Sequence, residues 1–287
     1  MTLKDSAFEE CTSLEYVTIG NSVKTIGIYA FFYCTSLVSI TVDEDNTAYL
    51  SEDGVLFNKA KTELIQYPIG NTRTSYAVPG TVETIGIYAF AYCDHLASVV
   101  IGDSVRTIEH SVFHSSTSLK SVTIGDSVET IGDSAFEECT ALESVTIGDS
   151  VEIIGDDAFS GCTSLKSVTI GNSVKTIGDY AFYKCGSIES VTIPDSVTSI
   201  GEYGFYKCAS VPSVTIPSSV TSIGDYAFEG CTSLVSITVD VNNKAYSSED
   251  GVLFDKAKTK LIQYPAGNTR TSYAMPGTVT SIGDWAF

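Results

Sequence analysis

Residues 143–165 read Glu143-Ser144-Val145-Thr146-Ile147-Gly148-Asp149-Ser150-Val151-Glu152-Ile153-Ile154-Gly155-Asp156-Asp157-Ala158-Phe159-Ser160-Gly161-Cys162-Thr163-Ser164-Leu165. Glu143 to Ile147 alternates polar and apolar side chains, the period of a half-buried strand. Gly148-Asp149-Ser150 is turn chemistry. Val151 to Ile154 reads as a second, shorter extended piece. Asp156-Asp157-Ala158-Phe159 follows Gly155 and predicts one helical or 3₁₀ turn, with Asp as its cap. One coil is therefore strand, turn, short strand and short helix, with Val145, Ile147, Ile154, Phe159, Cys162 and Leu165 turned inward.

The phrase recurs. Cys139, Cys162, Cys185, Cys208 and Cys231 fall at equal steps of 23 residues, and the same step backward lands on Ser116 and Cys93. A fixed period in the twenties is the signature of a solenoid, in which each repeat stacks on its neighbours. The recurring L-x-x-V-x-I, S-V-x-x-I-G and A-F-x-x-C phrases resemble the BspA-like, or Treponema-type, leucine-rich repeat across nearly the whole chain. Ser150 stands where the commoner leucine-rich consensus wants Asn or Cys, and Val151 with Ile154 closes the coil instead. The resemblance implies an α/β repeat solenoid. Its expected form is right-handed, with a parallel β-sheet on one face and short strands and helical turns elsewhere. About ten coils at the strand spacing make it roughly 45 Å long.

Two islands interrupt the beat, at about residues 43–80 and 240–277. Cys34 and Cys93 are separated by one repeat plus 36 residues, and Val42–Phe90 is echoed by Val239–Phe287, 197 residues later. Within the first island, Gly54 to Phe57 and Leu64 to Tyr67 read as a β-hairpin that projects from the solenoid or extends its sheet. Residues 1–287 are read as a single solenoid with these two hairpin insertions. Neither end of the chain has the polar cap a solenoid needs, which points to a fragment of a longer protein.

The 287 residues carry a formal net charge of -19, a surface that repels nucleic acid and anionic membranes. No apolar run is long enough for a membrane span, and no signal peptide opens the sequence. All eight cysteines occupy one register, so they are expected as buried, unpaired fillers rather than disulfides. No C-x-x-C pair suggests zinc. No N-x-S/T acceptor occurs.

Several side-chain patterns are candidate sites. Tyr180, Tyr203, Tyr226 and Trp285 share one register with Tyr29 and Tyr88. Three residues on, Phe32, Tyr183 and Tyr206 share another, and Tyr33 and Tyr92 follow it. Aromatic rings with a polar tip anchor protein and carbohydrate recognition, and they also clamp neighbouring coils together. The candidate binding residues are thus Tyr29, Phe32, Tyr33, Tyr88, Tyr92, Tyr180, Tyr183, Tyr203, Tyr206 and Tyr226. A stripe of Ser121, Thr123, Ser144, Thr146, Ser167 and Thr169 offers a flat polymer-binding face or simply high β propensity. Asp43 to Ala48 begins like a calcium loop but has Ala48 and Gly54 where Gly and Glu belong. Asp103, Asp126, Asn172 and Asp195 form either a cation ladder or a row of ordinary turn residues. His95, His110 and His114 sit in one irregular coil, as a metal site or a degenerate repeat.

No clustered nucleophile, acid and base, phosphate loop or G-x-S-x-G elbow is present, so no enzyme and no cofactor are expected. The resemblance implies an extracellular or cell-surface adhesion module that engages host matrix proteins such as fibronectin or fibrinogen. The alternative is a structural spacer, or a stalk that associates with itself end to end.

Overall fold

The computed structural model describes residues 1–287 as a β-solenoid. The first strands of successive coils, Ser75–Ala77, Ser98–Val100, Ser121–Thr123, Ser144–Thr146 and Ser167–Thr169, form a five-stranded parallel sheet. Pairs of equivalent strands lie toward either end, Tyr16–Ile19 with Ser39–Val42 and Ser213–Ile216 with Ser236–Val239. Seven second strands, from Thr84–Ile85 to Ser222–Ile223, form a separate sheet that three strands of the first island extend to ten. Register follows the repeat in both: Ser144 pairs with Ser167, and Ile131 with Ile154. Buried Val, Ile and Leu from both sheets meet in between.

The third side of each coil corrects the α/β reading: the chain has no helix. Ser134 and Glu138 take left-handed backbone, with φ of 55° and 56°. Their N–H groups, with that of Phe136, leave the coil and donate to the carbonyls of Asp156, Ala158 and Ser160 in the next one. A helix needs those donors for bonds within its own segment, so the inter-coil ladder excludes it. The residues between fold back locally, Ala135 N–H to Gly132 and Glu137 N–H to Ser134. Left-handed φ disfavours a side chain by roughly 1–2 kcal/mol per residue, and Gly161 and Gly230 avoid that cost at the Glu138 register.

Behind this ladder the Phe side chains stack face to face. Phe113, Phe136, Phe159 and Phe182 have neighbouring centroids 5.0–5.3 Å apart and rings within 9° of parallel. The cysteines are free and, except for half-buried Cys11, buried. They do more than fill space. From Cys139 to Cys231 each Sγ–H donates to a Phe carbonyl one coil earlier, Cys139 to Phe113 and Cys162 to Phe136, both at 3.1 Å, whereas Cys93 reaches only Ala91 of its own coil. Ser116 keeps the bond with its hydroxyl, 2.7 Å from the Phe90 carbonyl. The Ser is thus a donor match as well as a size match.

The islands are themselves coils, which raises the count from ten to twelve. Tyr67 stands one repeat before Phe90, stacks on it at 5.1 Å, and donates its N–H to Ala89. Tyr264 does the same toward Phe287 and Ala286. Tyr49–Glu52, Val55–Asn58 and Glu63–Gln66 form an antiparallel meander, and Glu63–Gln66 then pairs in parallel with Thr84–Ile85. The hairpin therefore extends the second-strand sheet. Asp53 (φ 53°) and Gly54 (φ 83°) make the two-residue turn between Tyr49–Glu52 and Val55–Asn58, both left-handed as a type I′ turn requires.

Asn46 plugs the island from inside. It is fully buried, donates to the Gly20 and Val23 carbonyls, and accepts from the Ala48 and Tyr49 N–H groups. Asn243 repeats the arrangement against Pro217, Val220, Ala245 and Tyr246. The acidic stretch around Asn46 is thus organised by a buried amide.

Ser116→Cys should fold with a urea midpoint close to wild type, whereas Ser116→Ala should cost about 1–3 kcal/mol by leaving the Phe90 carbonyl one donor short. Burial pushes the interior thiols upward, Cys231 to about 12. A thiol-reactive dye added to native protein should label Cys11 first and reach the others only on unfolding.

Candidate functional site

The aromatic registers converge into two bands on the turn face. In one, Tyr180, Tyr203 and Tyr226 stack at successive centroid distances of 4.8 Å, and Tyr183 stacks on Tyr206 at 5.0 Å. Edge contacts at 5.5 and 5.3 Å tie the two stacks together. Lys184 and Lys207 place their ammonium groups 4.8 and 5.0 Å from the Tyr183 and Tyr206 rings. Each tyrosine is half-buried, so one ring face holds the coil beside it and the rest meets solvent. Desolvation, followed by the Glu202 carboxylate, raises the Tyr180 hydroxyl above its ordinary value, which keeps it a neutral donor.

The second band gathers Tyr29, Phe32, Tyr33, Tyr88 and Tyr92. Tyr29 lies 5.2 Å from Tyr88, and Phe32 lies 4.9 Å from Tyr88 and 5.5 Å from Tyr92. Tyr33 completes it against Tyr92 at 4.9 Å. These partners are 56 to 60 residues apart, with a whole island coil between them, so linear reading did not join them. It also missed His110 and His114, whose rings meet Tyr88 at 5.7 Å and Tyr92 at 5.5 Å. The available signal was register, since His114 falls in step with Phe32 and Tyr183.

Left-handed backbone at Tyr29, Tyr88, Tyr180, Tyr203 and Tyr226 is not itself a mark of function. Ser111, Ser134 and Asp157 adopt the same conformation at the same register, so the coil demands it whatever the side chain. What distinguishes these coils is the ring stack. Tyr29 and Tyr33 are 42% and 39% exposed, the most open of the ten candidates.

The remaining patterns resolve into local chemistry. The Ser/Thr stripe is exposed along the first sheet, Ser opposite Ser and Thr opposite Thr. In the acidic ladder, Asp103 accepts the Asp126 N–H at 3.1 Å and Asp149 accepts the Asn172 N–H at 2.8 Å. No three His, Cys, Asp or Glu side chains come together as a metal site. His114 Nδ1 instead meets the Glu137 carboxylate at 3.2 Å. No helix is long and apolar enough to cross a membrane.

A family model for the BspA-type leucine-rich repeat region matches residues 1–139, 69–185 and 129–249. The chain belongs to the BspA-type leucine-rich repeat family. No curated protein sequence matches it. Among solved structures, a leucine-rich repeat protein from Eubacterium ventriosum is similar, at 28% identity and a TM-score of 0.63 over 91% of this chain. The chain spans 61% of that protein's length. A leucine-rich repeat protein from Bacteroides ovatus shares the fold, at 23% identity and a TM-score of 0.56, over 99% of this chain and 78% of its own. The family is consistent with a protein-binding repeat module and is generally non-catalytic.

The His114 bond holds the Glu137 carboxyl below its ordinary value. A depressed carboxylate contributes stability above its unfolded value, near pH 4.5, that is lost as pH falls through the folded one. His114→Ala should therefore flatten the acid limb of the stability profile, read as urea midpoints against pH. An unchanged limb would mean the pair contributes nothing.

Proposed function

We propose that this chain is a non-catalytic adhesion module of a cell surface that engages host extracellular matrix proteins through its aromatic bands. The observation that carries this reading is the stacked band of Tyr180, Tyr183, Tyr203, Tyr206 and Tyr226, rimmed by Lys184 and Lys207. Stacking immobilises the rings before any partner arrives, so little side-chain entropy remains to be lost on binding. Tyrosine supplies apolar area and a hydroxyl donor in one group, which suits a protein surface better than a small-molecule pocket. Surface placement and the choice of matrix proteins as partner rest on the family. The acidic chain leaves nucleic acid outside the reading.

Binding to immobilised fibronectin and fibrinogen across a salt series tests it, beside a variant with Tyr180, Tyr183, Tyr203 and Tyr206 changed to Ser. The wild type should bind saturably, and the variant should lose roughly tenfold or more in affinity while keeping the wild-type β-sheet spectrum. Equal binding by a folded variant would remove the band from the site. No binding by the wild type would overturn the matrix reading and leave the chain as a spacer.

A further inference from the structure

The inter-coil ladder on the turn face has two gaps. At seven coil boundaries the ladder runs through three N–H donors, as in Ser134, Phe136 and Glu138. At the coil before the first island, the N–H groups of Tyr29, Phe31 and Tyr33 find no acceptor. Across the gap, the Ile87 carbonyl finds no donor, although its counterpart His110 accepts from Tyr88. The island coil causes this: its Leu64 and Tyr67 bond forward to the coil of Thr84–Ala89 and pull away from the coil behind. The Tyr49 hydroxyl closes only one position, accepting the Ile26 N–H at 2.9 Å. A cleft of about 280 Å³ remains between Ile26–Phe31 and the strand Glu63–Gln66.

Its walls describe an occupant. Ile26, Ile28, Ile65 and Ile87 line it, with Ile28 53% and Ile87 40% exposed. Glu63 and Glu109 stand on one side, close enough that Glu109, after burial, raises the Glu63 carboxyl. Neither forms an ion pair within the chain. We propose that this cleft docks an extended segment of a partner protein that carries a lysine or arginine. Its backbone fills the missing rung, accepting from Tyr29 and Phe31 and donating to Ile87, as an added strand does at a sheet edge. The aliphatic stem of the basic residue lies on the isoleucines, and its charged head reaches the two carboxylates.

The second island holds the same frame with a different lining. Tyr226 and Phe228 keep unpaired N–H groups, and the Tyr246 hydroxyl takes the Ile223 N–H at 2.8 Å. Lys260 replaces Glu63, while Asp225 and Asp284 replace Ile28 and Ile87. This cleft keeps Ile223 and Ile262 but loses the two exposed isoleucines, and Lys260 offsets its two carboxylates, so it should hold a basic segment poorly and the chain carries its own control.

The site is separate from the tyrosine band of residues 180–226, and its test is independent. Two acetylated, amidated probes, Thr-Val-Lys-Val-Thr and the same peptide with norleucine for lysine, are titrated into the whole chain by NMR. The lysine peptide should bind roughly tenfold more tightly and shift the Tyr29 and Phe31 amides, leaving Tyr226 and Phe228 unmoved. Glu63→Gln with Glu109→Gln should erase the preference between the two probes, and the Tyr180/Tyr183/Tyr203/Tyr206 to Ser variant should retain it. Equal affinity of the wild type for both probes, or no saturable shift at Tyr29 and Phe31, would overturn the proposal whatever the outcome with matrix proteins.

Discussion

Three backbone hydrogen bonds per coil, donated forward from alternate residues of the turn face, govern this solenoid. Two sheets already join the coils elsewhere, but their second strands are only two residues long in the regular repeats. The turn ladder closes the third side and leaves the Phe stack nowhere to spread. Its geometry sets the cost: the first and third donors of each coil, four residues apart, must enter left-handed backbone, and the chain does so at non-glycine positions in coil after coil. Such strain persists only where the surroundings over-determine it. Here the surroundings are the preceding and following coils, so a coil holds its shape because its neighbours do.

The same dependence explains what the islands do. Where the ladder stops, so does the Phe stack, which passes from Phe8 to Phe31 and resumes only at Tyr67. The buried core divides at the same places into a central cluster of 58 residues and terminal clusters of eight and four. An island is therefore a discontinuity as much as a decoration. It brings Tyr29 against Tyr88 on the outside and leaves unpaired donors beneath them. The duplication of the island, down to Asn46 and Asn243 in the same bonds, makes this a built feature of the repeat array.

The sheets were legible because Glu143 to Ile147 carries period two and the 23-residue step sets its register. The turn was not. Asp156-Asp157-Ala158 has the composition of a helix start, and left-handed backbone ordinarily announces itself through glycine. Tyr, Ser, Asp, Glu and Lys fill most of those positions, so only Gly161 and Gly230 hinted at the conformation. The islands looked like insertions because Tyr67 stands in for Phe and Pro68 breaks the A-F-x-x-C phrase. Register alone predicted which tyrosines would stack within the band of Tyr180 to Tyr226. It could not predict the band of Tyr29 to Tyr92, whose contacts cross an island, nor the missing rung, which is an absence of partners rather than a residue type.

Amide hydrogen exchange on the native chain tests the ladder most directly, because each bond in it has a named donor. The amides of Ser134, Phe136 and Glu138 should exchange only with global unfolding. Those of Tyr29, Phe31 and Tyr33, at the same registers but without acceptors, should exchange orders of magnitude faster. Equal protection of the two sets would contradict the account, since it would mean that the turn-face ladder neither holds the coils together nor breaks at the islands.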